Sequence, residues 1–226
     1  PDKNTFIASQ NGYPDKDYKA LTERLRSGFP EAKYIDISGL LSADDFYYTD
    51  SHWRQERILK VADEIADKMG AERIGQCEKH DTGVSFYGVY YGQSALPHAP
   101  ERLQYLDNAV IRDLKVYNAE IKSEIPVYDL KAAGGRDPYE MFLGGARSII
   151  TITNPNVVRE RRLVIFRDSF GSSIAPLLTA GYSEITLVDI RYISPSSLGK
   201  LIDFTKADDA LFLYSASVIN NSGTIK

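Results

Sequence analysis

The sequence predicts an α/β protein: a parallel sheet flanked by helices. Three observations carry this. The last third alternates strand-like and helix-like segments. Its strands are short, near-continuous apolar runs, as in sheets covered on both faces. And 43% of the 226 residues are hydrophobic, enough for a sizeable core.

The alternation reads as follows. Ser148–Ile152 is a strand, turned at Asn154-Pro155-Asn156. Leu163–Phe166 is a strand feeding a helix over Ser173–Ala180, ended by Gly181. Pro176 fits only the first turn of that helix, where its missing N–H is unpaired anyway, so the cap is expected near Ser173. Glu184–Val188 is a strand, Pro195–Phe204 a helix and Ala210–Tyr214 a strand.

Earlier segments are less regular. Asn4–Ala8 and Lys33–Ile37 read as short strands. Tyr18, Leu21 and Leu25 have helical spacing, and so do the apolar residues from Ile58 to Met69 in a helix expected over Gln55–Met69, stopped by Gly70. Val84–Tyr91 is rich in strand formers, and Val110–Tyr117 and Ile125–Leu130 look like strands. Gly92–Pro100 and Gly134–Pro138 are loops. We expect one domain over residues 1–226, with residues 80–147 forming a β-rich insertion or lid.

Composition bounds function. The net charge is −4 and no basic run occurs, so no nucleic-acid partner is expected. Cys77 is the single cysteine, which rules out an intrachain disulfide and a cysteine-type zinc site. The chain opens on Pro1 rather than methionine and reads as a processed piece, so the absence of a signal or anchor segment from it does not argue against one. There are 15 tyrosines; such rings can line carbohydrate grooves, though most are expected at core edges.

Chemistry concentrates at two places. In Leu163-Val164-Ile165-Phe166-Arg167-Asp168-Ser169-Phe170-Gly171, a serine follows a buried strand and precedes a helix. Ser169 is thus a candidate nucleophile at the exposed end of a sheet; the alternative is a polar turn residue. In Asp50-Ser51-His52-Trp53, a carboxylate stands two residues from an imidazole. In an extended segment both point to one side, and the carboxylate can orient the ring as a general base. Alternatively Asp50 or Ser51 caps the following helix, or the pair ligates a metal. His80 and His98 lack metal-type spacing, so neither metal nor cofactor is expected. Asp189-Ile190-Arg191-Tyr192 ends the strand after the serine helix. Arg191 and Tyr192 are therefore candidates for substrate binding near Ser169.

These residues resemble a known family. Tyr48-Thr49-Asp50-Ser51-His52-Trp53 is similar to the signature of the DHHW protein family, usually Thr-Asp-His-His-Trp. Phe142-Leu143-Gly144-Gly145, Ile152-Thr153-Asn154-Pro155-Asn156, Arg167-Asp168-Ser169-Phe170 and Tyr182 through Tyr192 match in order and spacing, so the resemblance runs from about Phe6 to Tyr214.

That family is similar to the SGNH-hydrolase-like (flavodoxin-like) domains of alginate O-acetylation proteins. The resemblance implies catalytic roles for Asp50, His52 and Ser169, and substrate-side roles for Arg167 and Gly145. It implies a bacterial, extracytoplasmic protein at the cell surface, anchored to the membrane through a segment that this chain lacks. The expected partner is a cell-surface polysaccharide or acetylated carbohydrate.

Two departures stand out. Ala146 replaces the Asn that often follows Phe-Leu-Gly-Gly, which leaves the backbone N–H groups of Ser169 and Gly145 as expected oxyanion donors. Ser51 replaces the first histidine of the signature. Two functions follow: a serine esterase or O-acetyltransferase, or a non-catalytic glycan-binding or assembly protein that keeps the fold.

Overall fold

A computed structural model describes residues 1–8, 11–94 and 96–224. In chain order the helices are α1 (Asn4–Ile7), α2 (Tyr18–Gly28), α3 (Leu59–Met69), α4 (Val89–Ser94), α5 (Ala109–Arg112), α6 (Phe170–Ile174), α7 (Pro195–Leu198) and α8 (Ala216–Asn220). The strands are β1 (Glu78–Phe86), β2 (Glu101–Asp107), β3 (Lys115–Asn118), β4 (Ser123–Ile125), β5 (Ile149–Thr153), β6 (Arg162–Arg167), β7 (Glu184–Val188) and β8 (Asp209–Leu213).

Six strands form one sheet in the order β4-β3-β5-β7-β6-β8. β6 lies parallel to both β7 and β8, with Ile165 opposite Leu187 on one side and Leu211 on the other. β5, β3 and β4 extend the sheet by antiparallel pairing beyond β7. β1 and β2 make a separate antiparallel pair.

The period of two in β6 sends Leu163 and Ile165 to one face and Val164 and Phe166 to the other. The first face joins Ile150, Ile152, Ile185 and Leu187, and is covered by Val61, Ala62 and Ile65 of α3 and by Ile174, Leu177 and Leu178. Each of these large side chains contributes about 1.5–3 kcal/mol by leaving water. The opposite face gathers Ile149, Val164, Val188 and Leu198, with Phe166, Ile190 and Ile202 at its margin. The α/β class holds, with helices on both faces. A third cluster, Tyr47, Phe86, Leu103, Ala133, Tyr139, Met141 and Phe142, lies beneath the β1–β2 pair. Among the described residues no helix is long and apolar enough to cross a membrane.

Local departures have local causes. Asn4–Ala8 is not a strand: Asp2 accepts the Thr5 N–H through both its carbonyl and its carboxylate and starts the single turn α1. Lys33–Ile37 runs outside any ladder, although Ile35 and Ile37 still pack on the core as their alternation requires. The helix before Gly70 begins as a 3₁₀ turn over Gln55–Arg57. The Val84–Tyr91 strand ends at Phe86, where Gly88 and Tyr90 are drawn onto Thr49. Val110–Tyr117 splits into α5 and β3 because Asn108 caps α5 through the Ile111 N–H. The Ile125–Leu130 strand stops at Ile125, and the Pro195–Phe204 helix at Leu198.

Candidate active site

The turn after β6 begins the site. Asp168 is fully buried: its Oδ1 accepts the Phe170 N–H at 3.0 Å and its Oδ2 accepts the Ser215 N–H at 2.7 Å. Asp168 therefore does the capping work. Ser169 occupies the N-cap position with no side-chain cap bond of its own. This corrects the expected helix start near Ser173. Phe170–Ile174 is already α-helical, and Pro176 sits at the start of the 3₁₀ segment Ala175–Gly181, where a missing N–H is equally tolerated.

The freed hydroxyl meets a histidine from far upstream. Ser169 Oγ lies 2.7 Å from His52 Nε2, and His52 Nδ1 lies 2.6 Å from Asp50 Oδ1. Asp50 Oδ1 also accepts the His52 backbone N–H, and Oδ2 accepts that of Val89 at 3.1 Å. Burial pushes the Asp50 carboxyl up, but the His52 side chain and the two N–H groups outweigh it and hold the group below the ordinary carboxylate range. Asp50 is thus an anion at neutral pH. The His52 and Asp50 side chains are 14% and 4% exposed, so water screens the pair little.

The loop that carries Asp50 is pinned. Phe46 and Trp53 form an antiparallel bridge that closes it. Glu101 accepts the Tyr48 and Thr49 N–H groups and the Thr49 hydroxyl, each at 2.7 Å, and Arg54 Nη2 at 2.6 Å. Gly88 lies so close that a Cβ there would stand 2.3 Å from Asp50 Cβ.

Aromatic groups clamp the imidazole. The Tyr139 ring stacks on His52 with centroids 3.8 Å apart and planes 11° from parallel. Phe170 tilts against it at 5.1 Å. Tyr139 donates its hydroxyl to Ser173 Oγ at 2.7 Å, and Trp53 Nε1 donates to the same oxygen at 2.8 Å. Ser173 passes its own proton to the Phe170 carbonyl, 3.3 Å away. One donor and two acceptor sites are all a hydroxyl has, so Ser173 is saturated. Sequence reasoning missed Tyr139, Ser173, Asp168 and Glu101; each works through partners remote in sequence or through backbone groups, and no spacing announces them.

Arg167 lies elsewhere than expected. It is fully buried and cannot face a substrate. Its guanidinium donates to Ser172 Oγ at 3.1 Å and to the Gly145 and Arg147 carbonyls at 3.3 Å, and stands 3.8 Å from Asp189. Burial pushes its pKa down, against the pull of Asp189. Arg167 is thus a clamp between the serine helix and the Leu143–Arg147 turn. Gly171 makes room for it, since a Cβ there would lie 2.5 Å from Arg167 Cβ.

Gly145 also needs correction. Its N–H is spent on the Phe142 carbonyl at 3.0 Å, so it is not an oxyanion donor. The turn is tight: Leu143, Gly144 and Gly145 all have left-handed φ values, between 53° and 75°. Arg191 binds the fully buried Asp189 through Nε at 2.9 Å and Nη2 at 2.7 Å. Tyr192 is half exposed, with Arg191 over its ring.

The six-stranded sheet and the turn after β6 define an SGNH-like α/β fold, similar to that of the DHHW proteins. A DHHW family protein from Eubacterium siraeum superposes with a TM-score of 0.62 at 20% identity, over 80% of this chain and 63% of that one. This chain thus spans less than two thirds of that protein. Bacillus cereus PatB1, solved with a sulfonyl adduct, superposes with a TM-score of 0.68 at 17% identity, over 97% of this chain and 80% of PatB1. PatB1 without the adduct gives 0.66 at 18% identity. At these identities the likeness is one of fold. No protein-family model and no curated protein matches the sequence.

Proposed function

We propose that this chain is an SGNH-like serine esterase or O-acetyltransferase that handles acetyl groups on a cell-surface glycan, outside the cytoplasm. The supporting observation is the unbroken hydrogen-bonded line Asp50–His52–Ser169. His52 Nε2 takes the Ser169 proton as Oγ attacks the acetyl carbonyl carbon. The tetrahedral intermediate collapses, the ester C–O bond breaks, and His52 returns the proton to the departing sugar oxygen. Water, or a second sugar hydroxyl, then attacks acetyl-Ser169. His52 takes the proton of that attacker and returns it to Oγ. Asp50 orients the ring and stabilises the imidazolium throughout.

The oxyanion is met sparsely. Ala146 offers no side-chain donor, and the Gly145 N–H is engaged. The Ser169 N–H remains. One missing donor costs on the order of 10²–10³ in kcat, so turnover of simple esters should be slow. The sparse hole also keeps alive a second reading, a glycan-binding protein without turnover.

The PatB1 sulfonyl adduct suggests the test. An arylsulfonyl fluoride should modify Ser169, located by mass spectrometry on the peptide bearing Arg167-Asp168-Ser169. Hydrolysis of p-nitrophenyl acetate should disappear in Ser169→Ala. Unchanged hydrolysis in that variant, or modification that survives it, rejects the proposal. The finding of a folded, unreactive wild type favours the second reading.

A further inference from the structure

Apolar surface concentrates beside the Asp50 loop. Tyr48, Tyr87, Val89, Tyr91 and Leu96 are all exposed large side chains, and they fall on this loop and on α4 with its flanks. Tyr48 stacks on exposed His98, with centroids 4.4 Å apart and planes 16° from parallel. Lys3 Nζ sits 5.1 Å from the Tyr48 ring and 5.5 Å from that of Tyr90, joining the two. Tyr87 and Tyr91 touch at 4.5 Å. Exposed aromatic side chains gathered on one loop and the helix fastened to it are a candidate binding surface.

The group is rigidly tied to the triad loop. The Gly88 N–H donates to Thr49 Oγ1 at 3.0 Å, the Val89 N–H to Asp50 Oδ2 at 3.1 Å and the Tyr90 N–H to the Thr49 carbonyl at 2.9 Å. Three consecutive amides thus fasten α4 to the loop carrying Asp50. Lys3 Nζ adds bonds to the Tyr47 and Tyr48 carbonyls, at 2.9 and 2.6 Å. Rings held this way lose little freedom when a ligand stacks on them.

We infer that Tyr48, His98, Tyr87 and Tyr91, on the loop that carries Asp50 and on the α4 segment fastened to it, form a saccharide-binding platform for the oligosaccharide chain whose acetylated unit meets Ser169. The inference rests on the proposed glycan chemistry at Ser169. A pyranose with equatorial substituents presents one flat C–H face, which matches an aromatic face, and hydroxyls around its rim, which match tyrosine O–H groups. Tyrosine and histidine supply both features.

The test uses Ser169→Ala protein, so that binding is read without turnover, with cellopentaose and N-acetylated chitopentaose as probes. Titration by NMR should give a dissociation constant of about 1 mM or tighter for at least one of them. In the same background Tyr48→Ala/His98→Ala should weaken binding at least tenfold, and Tyr91→Ala should weaken it as well, with far-ultraviolet circular dichroism unchanged. No binding of either probe, or equal binding by the folded double variant, overturns the platform. Hydrolysis of p-nitrophenyl acetate by wild type, measured in parallel, separates the two ideas. Oligosaccharide binding without ester turnover sinks the enzyme reading alone; turnover without oligosaccharide binding sinks the platform alone.

Discussion

The Tyr139 ring lies flat on the His52 imidazole, 3.8 Å away, and holds it between Asp50 and Ser169. A stacked phenol restrains the imidazole's rotation and keeps Nδ1 toward Asp50 and Nε2 toward Ser169. Tyr139→Phe keeps the ring and loses one neutral hydrogen bond, at about 1 kcal/mol in melting studies. Tyr139→Leu loses the stack, and kcat/KM for p-nitrophenyl acetate should fall about tenfold, roughly the 1.4 kcal/mol that a freed ring costs. Wild-type kcat/KM in a folded Tyr139→Leu would show that the stack has no part in orienting His52.

Acid should act through Asp50. Its folded pKa lies below the ordinary carboxylate value because the His52 side chain and two amides outweigh the effect of burial. The resulting stabilisation is complete above the unfolded value, about pH 4, and disappears as pH falls through the folded one. The melting temperature of wild type should therefore drop more steeply than that of Asp50→Asn as the pH is taken below about 4. Parallel melting curves across that range would remove Asp50 from the account of acid stability.

Gly88 tests the packing behind the carboxylate. A methyl group at Gly88 collides with Asp50 Cβ and the Thr49 carbonyl. Gly88→Ala should cost about 1–3 kcal/mol and slow sulfonylation of Ser169. A variant as stable and as reactive as wild type would mean that the loop yields freely.

Arg167 and Arg191 share Asp189 but should part in experiment. Arg167→Met leaves the Arg147 carbonyl without its guanidinium donor and the Gly145 carbonyl with only the Ser172 hydroxyl at 3.5 Å, and about 1–3 kcal/mol should be lost. Arg191 is partly exposed, and its loss leaves Asp189 with a partner still at 3.8 Å. Arg191→Ala should cost about 2 kcal/mol, roughly 4–8 °C in melting temperature. This is more than a surface change would give. If Arg191→Ala raises KM without moving the melting temperature, its role is substrate binding alone.

Much of this was legible in the sequence, for physical reasons. Asp50 and His52 are two residues apart, and Ser169 directly follows an apolar strand, so local pattern sufficed to pick them out. The parallel β6–β7–β8 unit was equally legible, because buried strands are written as apolar runs. Lys33–Ile37 shows the limit: its alternation does bury Ile35 and Ile37, but alternation cannot announce whether a neighbouring strand exists. Arg167 shows another. Its charge pointed outward to a ligand, whereas Gly171 opens a channel that lets the guanidinium run inward to the Gly145 and Arg147 carbonyls. Tyr139 was one of 15 tyrosines, and only three-dimensional folding singles it out.

The bond between His52 and Ser169 spans 117 residues of chain, and those from Trp53 and Gln55 to Ser173 span 120 and 118. No shorter stretch holds both the imidazole and the alcohol. During synthesis, residue 52 is made long before residue 169, so the hydroxyl stays an ordinary alcohol until β6 has joined the sheet and the earlier loop has docked on it. Sulfonylation of that oxygen is therefore a clock for the completion of folding, started only when the two halves of the chain have met.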